Sequence, residues 1–137
     1  MPTTYKCLTI MDALETLCAA IAGVGQVVRS RGDFINPPAP TTVFLFFSQL
    51  IKHDRDDWTM VIDTTIVTKS QSAKNDVTLL GLIAEFDATL TDPHSTVGGA
   101  VTFEEWTGCA FARKGVAALV GANTAMSIAF SGPLKSA

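Results

Sequence analysis

The chain has 137 residues, of which 47% are hydrophobic and 17% are charged, and its formal net charge is −3. A chain of this length predicts a single domain over residues 1–137. Its basic residues are scattered, unlike the clustered basic face of a duplex-binding protein. It also contains no run of the roughly 18 to 20 apolar residues that a membrane helix needs. The charged fraction is below the roughly 25% of an average soluble domain, which predicts that a partner covers part of the surface.

The N-terminal part predicts one helix followed by two strands. Apolar residues recur at spacings of three and four over residues 9–21, which is the period of an amphipathic helix. Residues 26–29 are short and β-branched, as in a strand. The prolines of residues 36–40 then lead into residues 41–47, where the apolar side chains are consecutive. A strand of this kind is typical of burial on both faces, so we expect helices on one side and a second cover on the other.

The central part predicts a turn, a strand and a helix. KHDRDD, residues 52–57, has the composition of a solvated turn. WTMVIDTTIVTK, residues 58–69, alternates with period two and indicates a long strand with one strongly apolar face. Apolar residues from Val77 to Leu90, Leu80 among them, then form a broad stripe, as expected for a helix laid across a sheet.

The C-terminal part predicts three more strands, over residues 100–103, 106–113 and 123–130, the last two forming an antiparallel pair. The segment KGVAALVGAN, residues 114–123, predicts a glycine-bounded apolar loop or short helical turn between them. The predicted fold class is therefore α+β. We expect a mixed, largely antiparallel β-sheet of about four to five strands packed against two main α-helices.

The sequence has no catalytic, cofactor-binding or metal-binding motif. His94, Asp92 and Cys109 have the residue types of a thiol–imidazole–carboxylate set, but we interpret His94 as solvated loop surface. The aspartates of KHDRDD do not have the spacing of an EF-hand loop. We therefore expect a protein that is not an enzyme and binds neither cofactor nor metal, with a cysteine-dependent enzyme built on Cys109 as an alternative.

The three cysteines, Cys7, Cys18 and Cys109, are far apart and include no CxxC pair. This spacing disfavours a structural zinc site. Their odd number favours reduced thiols in a cytoplasmic setting. It leaves open whether one of them bridges two subunits.

The order of the elements resembles that of the tail-terminator and minor tail-completion, or head–tail joining, proteins of tailed bacteriophages. Five stretches carry the resemblance, which spans residues 8 to 134. They are the opening helix MDALETLCAAI, the proline-led strand entry VFLF, the strand WTMVIDTTIVT, the helix NDVTLLGLIAEFDATL and the closing strand MSIAFSGPL.

This resemblance implies a structural virion protein that forms a ring, expected to be hexameric, at the head-proximal end of the tail tube. The ring would end tail polymerisation and join the tail to the neck. Its implied partners are further copies of itself, the tail tube protein and a neck, head-completion or connector protein. Genomic DNA would pass through the ring without sequence-specific binding, and the subunits would be made in the host cytoplasm.

On this hypothesis we expect assembly contacts at Phe44, Phe46, Phe47, His53, Arg55, Asp56, Asp57, Arg31 and Asp33. One alternative function is a neck or head-completion protein. Another is a small module that binds an apolar ligand in a pocket lined by aromatic residues. Those residues would be Phe44, Phe46, Phe47, Trp58 and Trp106, although we expect them to belong to the core.

Overall fold

The computed structural model describes residues 4–30, 41–70, 75–90, 97–114 and 117–136. Within these ranges it describes the backbone but not the side chains of residues 69–70, 75–76, 78–79, 100–114, 117–120 and 136. The elements in chain order are β1 (Thr4–Tyr5), α1 (Lys6–Ala19), β2 (Gln26–Val28), β3 (Thr41–Asp54), β4 (Asp57–Ser70), α2 (Asn75–Thr89), β5 (Ala100–Lys114), β6 (Ala117–Ser131) and β7 (Lys135–Ser136). Neither helix of the described part is long and apolar enough to cross a membrane.

The main sheet has five strands in the order β2-β3-β4-β6-β5. β2 runs parallel to β3, whereas the other neighbouring strands are antiparallel. The short strands β1 and β7 form a separate antiparallel pair. The predicted α+β fold, with two helices and a mixed, largely antiparallel sheet, is confirmed.

Both helices pack on one face of the main sheet and share a single core. α1 contributes Ile10, Leu14 and Cys18, and α2 contributes Leu82 and Phe86. The sheet contributes alternate residues of its central strands, namely Val43, Leu45, Met60, Ile62, Ile66, Ala122, Met126, Ile128 and Phe130. The domain therefore has two layers, with helices on one side and a sheet face on the other.

The start of β3 is buried on both faces, as its consecutive apolar residues predict. All residues from Thr41 to Leu45 are buried. Val43 and Leu45 face the helices, whereas Phe44 forms a second, smaller cluster on the far face with Val67 and the half-buried Val28.

The hairpin formed by β3 and β4 is longer than the sequence predicts. Only Arg55 and Asp56 form the turn, because Lys52 still pairs with Trp58 and Asp54 with Asp57. The predicted turn over residues 52–57 is therefore too wide. The charged side chains of this segment are exposed, which is compatible with strand pairing at the end of a hairpin.

The prediction of a loop or helical turn over residues 114–123 is wrong for Lys114 and for residues 117–123, while residues 115–116 lie outside the described residues. Residues 117–123 form the first half of β6, which lies between β4 and β5 and pairs with both. A central strand with neighbours on both sides tolerates an apolar run without alternation, which explains why the sequence pattern is misleading here. The predicted strands at 100–103 and 106–113 are one strand, β5, with two register shifts.

Candidate assembly surface

The three phenylalanines of the predicted interface do not share a face. Phe44 and Phe46 both lie on the sheet face away from the helices, whereas Phe47 packs against the main core. Phe44 is only 3% exposed in the single chain, so it is a core residue with no surface to offer a neighbour. Phe46 and Phe47 are half-buried. Of the three, Phe46 is the residue best placed to contact a partner on the far face.

The four charged or polar residues of the predicted interface in the hairpin, His53, Arg55, Asp56 and Asp57, are all exposed. Hydrogen bonds hold the hairpin end against the end of β6. The Gly132 backbone N–H donates to the Asp56 carbonyl at 2.8 Å, and the Ser131 hydroxyl donates to Asp57 Oδ1 at 3.0 Å. The charged end of the hairpin is therefore fixed relative to the sheet.

Two side chains next to the turn are also held in place. His53 Nε2 lies 2.7 Å from Thr59 Oγ1, within hydrogen-bond distance. Lys52 Nζ lies 5.1 Å from the centre of the Trp58 ring, which is the geometry of a cation–π contact. These contacts brace the two strands across the hairpin just before its turn. The remaining two residues of the predicted interface, Arg31 and Asp33, lie outside the described residues.

The far face of the sheet is a broad surface that the sequence predictions did not include. In its central part Ala125, Ser127 and Ala129 of β6 are half-buried beside Val61 of β4, and Asp63 is exposed. No helix of the described part packs on this face. The sequence indicates this face through the alternation of small residues with Met126 and Ile128. The large side chains of β6 therefore point into the core and the small ones point away from it.

The outward face of α2 is a second exposed apolar surface. Val77 and Leu80 are each 61% exposed, and Ala84 and Ala88 are exposed on the same side of the helix. These four residues, here called the α2 stripe, have the spacing of one helical face opposite the buried Leu82 and Phe86. The sequence prediction treated Val77 and Leu80 as part of the sheet-facing stripe, and for these two residues it is wrong.

The structure does not assemble the predicted aromatic pocket. Phe46 lies on the far face of the sheet, whereas Phe47 and Trp58 pack against the core on the helix side. The side chain of Trp106 lies outside the described side chains. A surface depression of about 370 Å³ lies next to the turn of the hairpin, lined by His53, Asp57, Trp58, Thr59, Gly98, Ala129, Phe130 and Ser131. Its lining combines two aromatic rings with polar groups and differs from the predicted set.

Burial disfavours ionisation of the two described thiols. Burial raises the pKa of Cys18 from 9.0 to about 12, and it also raises the pKa of the half-buried Cys7. Among the described residues of the single chain, neither forms a disulfide. The side chain of Cys109 and the residues Asp92 and His94 lie outside the description, so the set predicted for a cysteine-dependent enzyme stays a prediction. Within the described residues no group of His, Cys, Asp or Glu has the arrangement of a metal site.

The sequence matches no model of a known protein family and no curated protein. The function is therefore inferred from the resemblance in the order of elements, from the fold and from the surfaces described above.

Proposed function

We propose that this protein is a non-enzymatic virion component that forms a ring at the head-proximal end of a bacteriophage tail tube. In this role it stops polymerisation of the tube and joins the tail to the neck. The sequence resemblance to tail-terminator proteins suggests the role, including six subunits per ring. One structural observation supports it independently, namely that a small two-layer domain has partner-accessible apolar surface on both of its outer sides.

The first of these sides is the α2 stripe, and the second is the central part of the far sheet face. Large apolar side chains of a helix are usually buried, whereas Val77 and Leu80 of α2 are each 61% exposed in the single chain. The far face adds the half-buried Phe46 and Val61 beside small residues of β6. On the far face these apolar residues lie beside the exposed Asp63. Groups of exposed apolar side chains rimmed by polar residues are typical of contact sites in soluble proteins.

The two surfaces are placed to contact different partners. They lie on opposite sides of the domain, since α2 packs on one sheet face and exposes its outer side away from it. A subunit with different apolar surfaces on opposite sides can contact one partner protein with each of them.

The charged end of the hairpin suits a contact with the tube or the neck. Residues 52–57 carry two cations, Lys52 and Arg55, against three carboxylates, Asp54, Asp56 and Asp57, a net charge of −1 with His53 neutral. The hydrogen bonds to Ser131 and Gly132 fix this segment, so it presents one charge pattern to a partner. The overall negative charge of the chain would also repel DNA phosphates that pass through the ring.

Tube growth in the presence of the protein tests this proposal. Purified tube protein is polymerised with increasing amounts of the chain, and the tube lengths and the position of gold-labelled subunits are measured by electron microscopy. We expect shorter tubes with label at one end. Unlabelled tubes of unchanged length would contradict the proposal, and label at the portal of isolated heads would favour the neck or head-completion alternative.

A further inference from the structure

At each edge of the main sheet, part of a strand has no neighbouring strand on its outer side among the described residues. β2 pairs only with Thr42, Val43 and Phe44 of β3, yet β3 continues to Asp54. Over residues 47–54 no described strand pairs with β3 on the side away from β4. At the opposite edge β5 pairs with β6 on one side, and no described strand lies on the other. Open strand edges are sites for pairing with another chain.

The two edges have opposite directions. β3 is antiparallel to β4, β4 to β6, and β6 to β5, so β5 runs opposite to β3. If copies are related by a rotation about an axis roughly parallel to the strands, β5 of one copy meets β3 of the next as an antiparallel pair. Antiparallel pairing is the commoner arrangement in sheets and needs no change in either subunit.

The two edge segments also lie at the same position along the strand direction. Ile51 of β3 pairs with Thr59 of β4, which pairs with Ala129 of β6. Ala129 in turn pairs with Ala100 of β5, so Ile51 and Ala100 lie in one row across the sheet. In the same way, Phe47 of β3 is linked through Ile62 and Met126 to Glu104 of β5, so these residues form a second row. Residues 47–51 of one copy and residues 100–104 of the next would therefore be level, apart from the stagger that strand tilt introduces.

We propose that neighbouring copies of this chain join edge to edge, with residues 47–51 of β3 paired to residues 100–104 of β5 in the next copy. The sheets of the ring then form one continuous surface. This inference rests on the proposed function and names the contact through which the ring closes.

The composition of the edges supports this pairing. Protected edge strands normally carry lysine or proline, but residues 47–51, FSQLI, contain neither and no other charge. Residues 100–104, AVTFE, contain one charge. Edge-to-edge pairing would explain why these stretches lack the usual protection.

Both edge strands also have a register shift within the segments proposed to pair. It falls between Phe47 and Gln49 in β3 and between Val101 and Phe103 in β5. A bulge bends its strand and increases the local twist. Sheets that close on themselves need such bends, so the shifts are compatible with a continuous curved sheet in a ring.

A disulfide between two substituted positions tests the pairing directly. Ile51→Cys and Ala100→Cys place one cysteine on each edge at the same height. Within one chain these residues are separated by three strand spacings, about 14 Å, which is too far for a disulfide. A bond between positions 51 and 100, identified by mass spectrometry of the oxidised double variant, must therefore join two copies.

We expect the 51–100 bond in the double variant on assembled tails, and no bond between like positions in either single variant. A 100–100 bond in the Ala100→Cys variant would overturn the inference, because it requires β5 to pair with itself. If the double variant fails to fold, hydrogen exchange on the unmodified protein gives the answer. We expect exchange about 100-fold slower in residues 47–51 and 100–104 of the assembled protein than in the monomer.

The two proposals can fail separately. Rings at the tube end without the 51–100 bond, and without slower exchange in these stretches, would overturn the edge pairing but not the proposed function. Copies joined through the 51–100 bond that neither bind the tube nor limit its length would overturn the proposed function.

Discussion

Truncation of Leu80 separates the contribution of the α2 stripe to assembly from its contribution to folding. Leu80 is 61% exposed, and fully burying a leucine contributes about 1.5–3 kcal/mol. Covering the exposed part in a contact with a partner protein is therefore worth about 1–2 kcal/mol. Since alanine keeps part of that gain, we expect Leu80→Ala to weaken each contact by about 1 kcal/mol, or about 5-fold in dissociation constant.

The same substitution should hardly affect the monomer. An exposed helical position usually changes the free energy of unfolding by less than about 0.5 kcal/mol, and alanine is the best helix former. Phe86, which is fully buried on the opposite side of α2, provides the matched control. Phe86→Ala should lower the free energy of unfolding by about 3–5 kcal/mol.

Co-sedimentation with polymerised tubes over a concentration series measures the association with the tube, and urea denaturation of dilute protein measures the free energy of unfolding. We expect Leu80→Ala to weaken the association and Phe86→Ala to lower the free energy of unfolding. Unchanged association of the Leu80→Ala variant, where the unmodified protein binds the tubes, would refute the assignment of the α2 stripe to a partner contact. A loss of unfolding free energy as large as that of Phe86→Ala would instead show that Leu80 belongs to the core.

Three further predictions concern the monomer. Gly99→Ala would place its Cβ 2.8 Å from the Ala129 carbonyl oxygen, so we expect a loss of about 1–3 kcal/mol in urea denaturation, and an unchanged midpoint would contradict this close approach. Because burial raises the pKa of Cys18 from 9.0 to about 12, the unfolded thiol ionises first, and stability should fall as the pH rises from about 9 towards 12. Cys18→Ala should lack this component, so parallel pH profiles of the two proteins would count against it. Arg29, which pairs with Asp12 at the surface, should contribute less than about 1 kcal/mol in an Arg29→Ala comparison, and less again in high salt.

The parts of the fold that follow from local patterns were predictable from the sequence. Alternation over residues 58–69 predicts β4, spacings of three and four predict α1, and a broad apolar stripe predicts α2. The first half of β6 was not predictable in this way. It pairs with β5 as a hairpin and with β4 over a long stretch of sequence. An apolar run between glycines is compatible with either a buried strand or a loop.

The candidate surface was less predictable than the fold. Exposure of the hairpin residues His53, Arg55, Asp56 and Asp57 follows from their charge or polarity, and the structure shows it. The burial of Phe44 depends on Val67 and Val28, which are distant in sequence. The exposure of Leu80 depends on the angle at which α2 meets the sheet. Composition alone does not distinguish a leucine that faces the sheet from one that faces a partner.

Electron microscopy of tails assembled with and without the protein tests the ring proposal most directly. With the protein present, we expect averaged end views to show a six-fold ring on one end of each tube, and tube lengths to be uniform. Without it, the tubes should lack the ring and grow beyond that length. Tubes of normal length with bare ends in both preparations would contradict the proposed function.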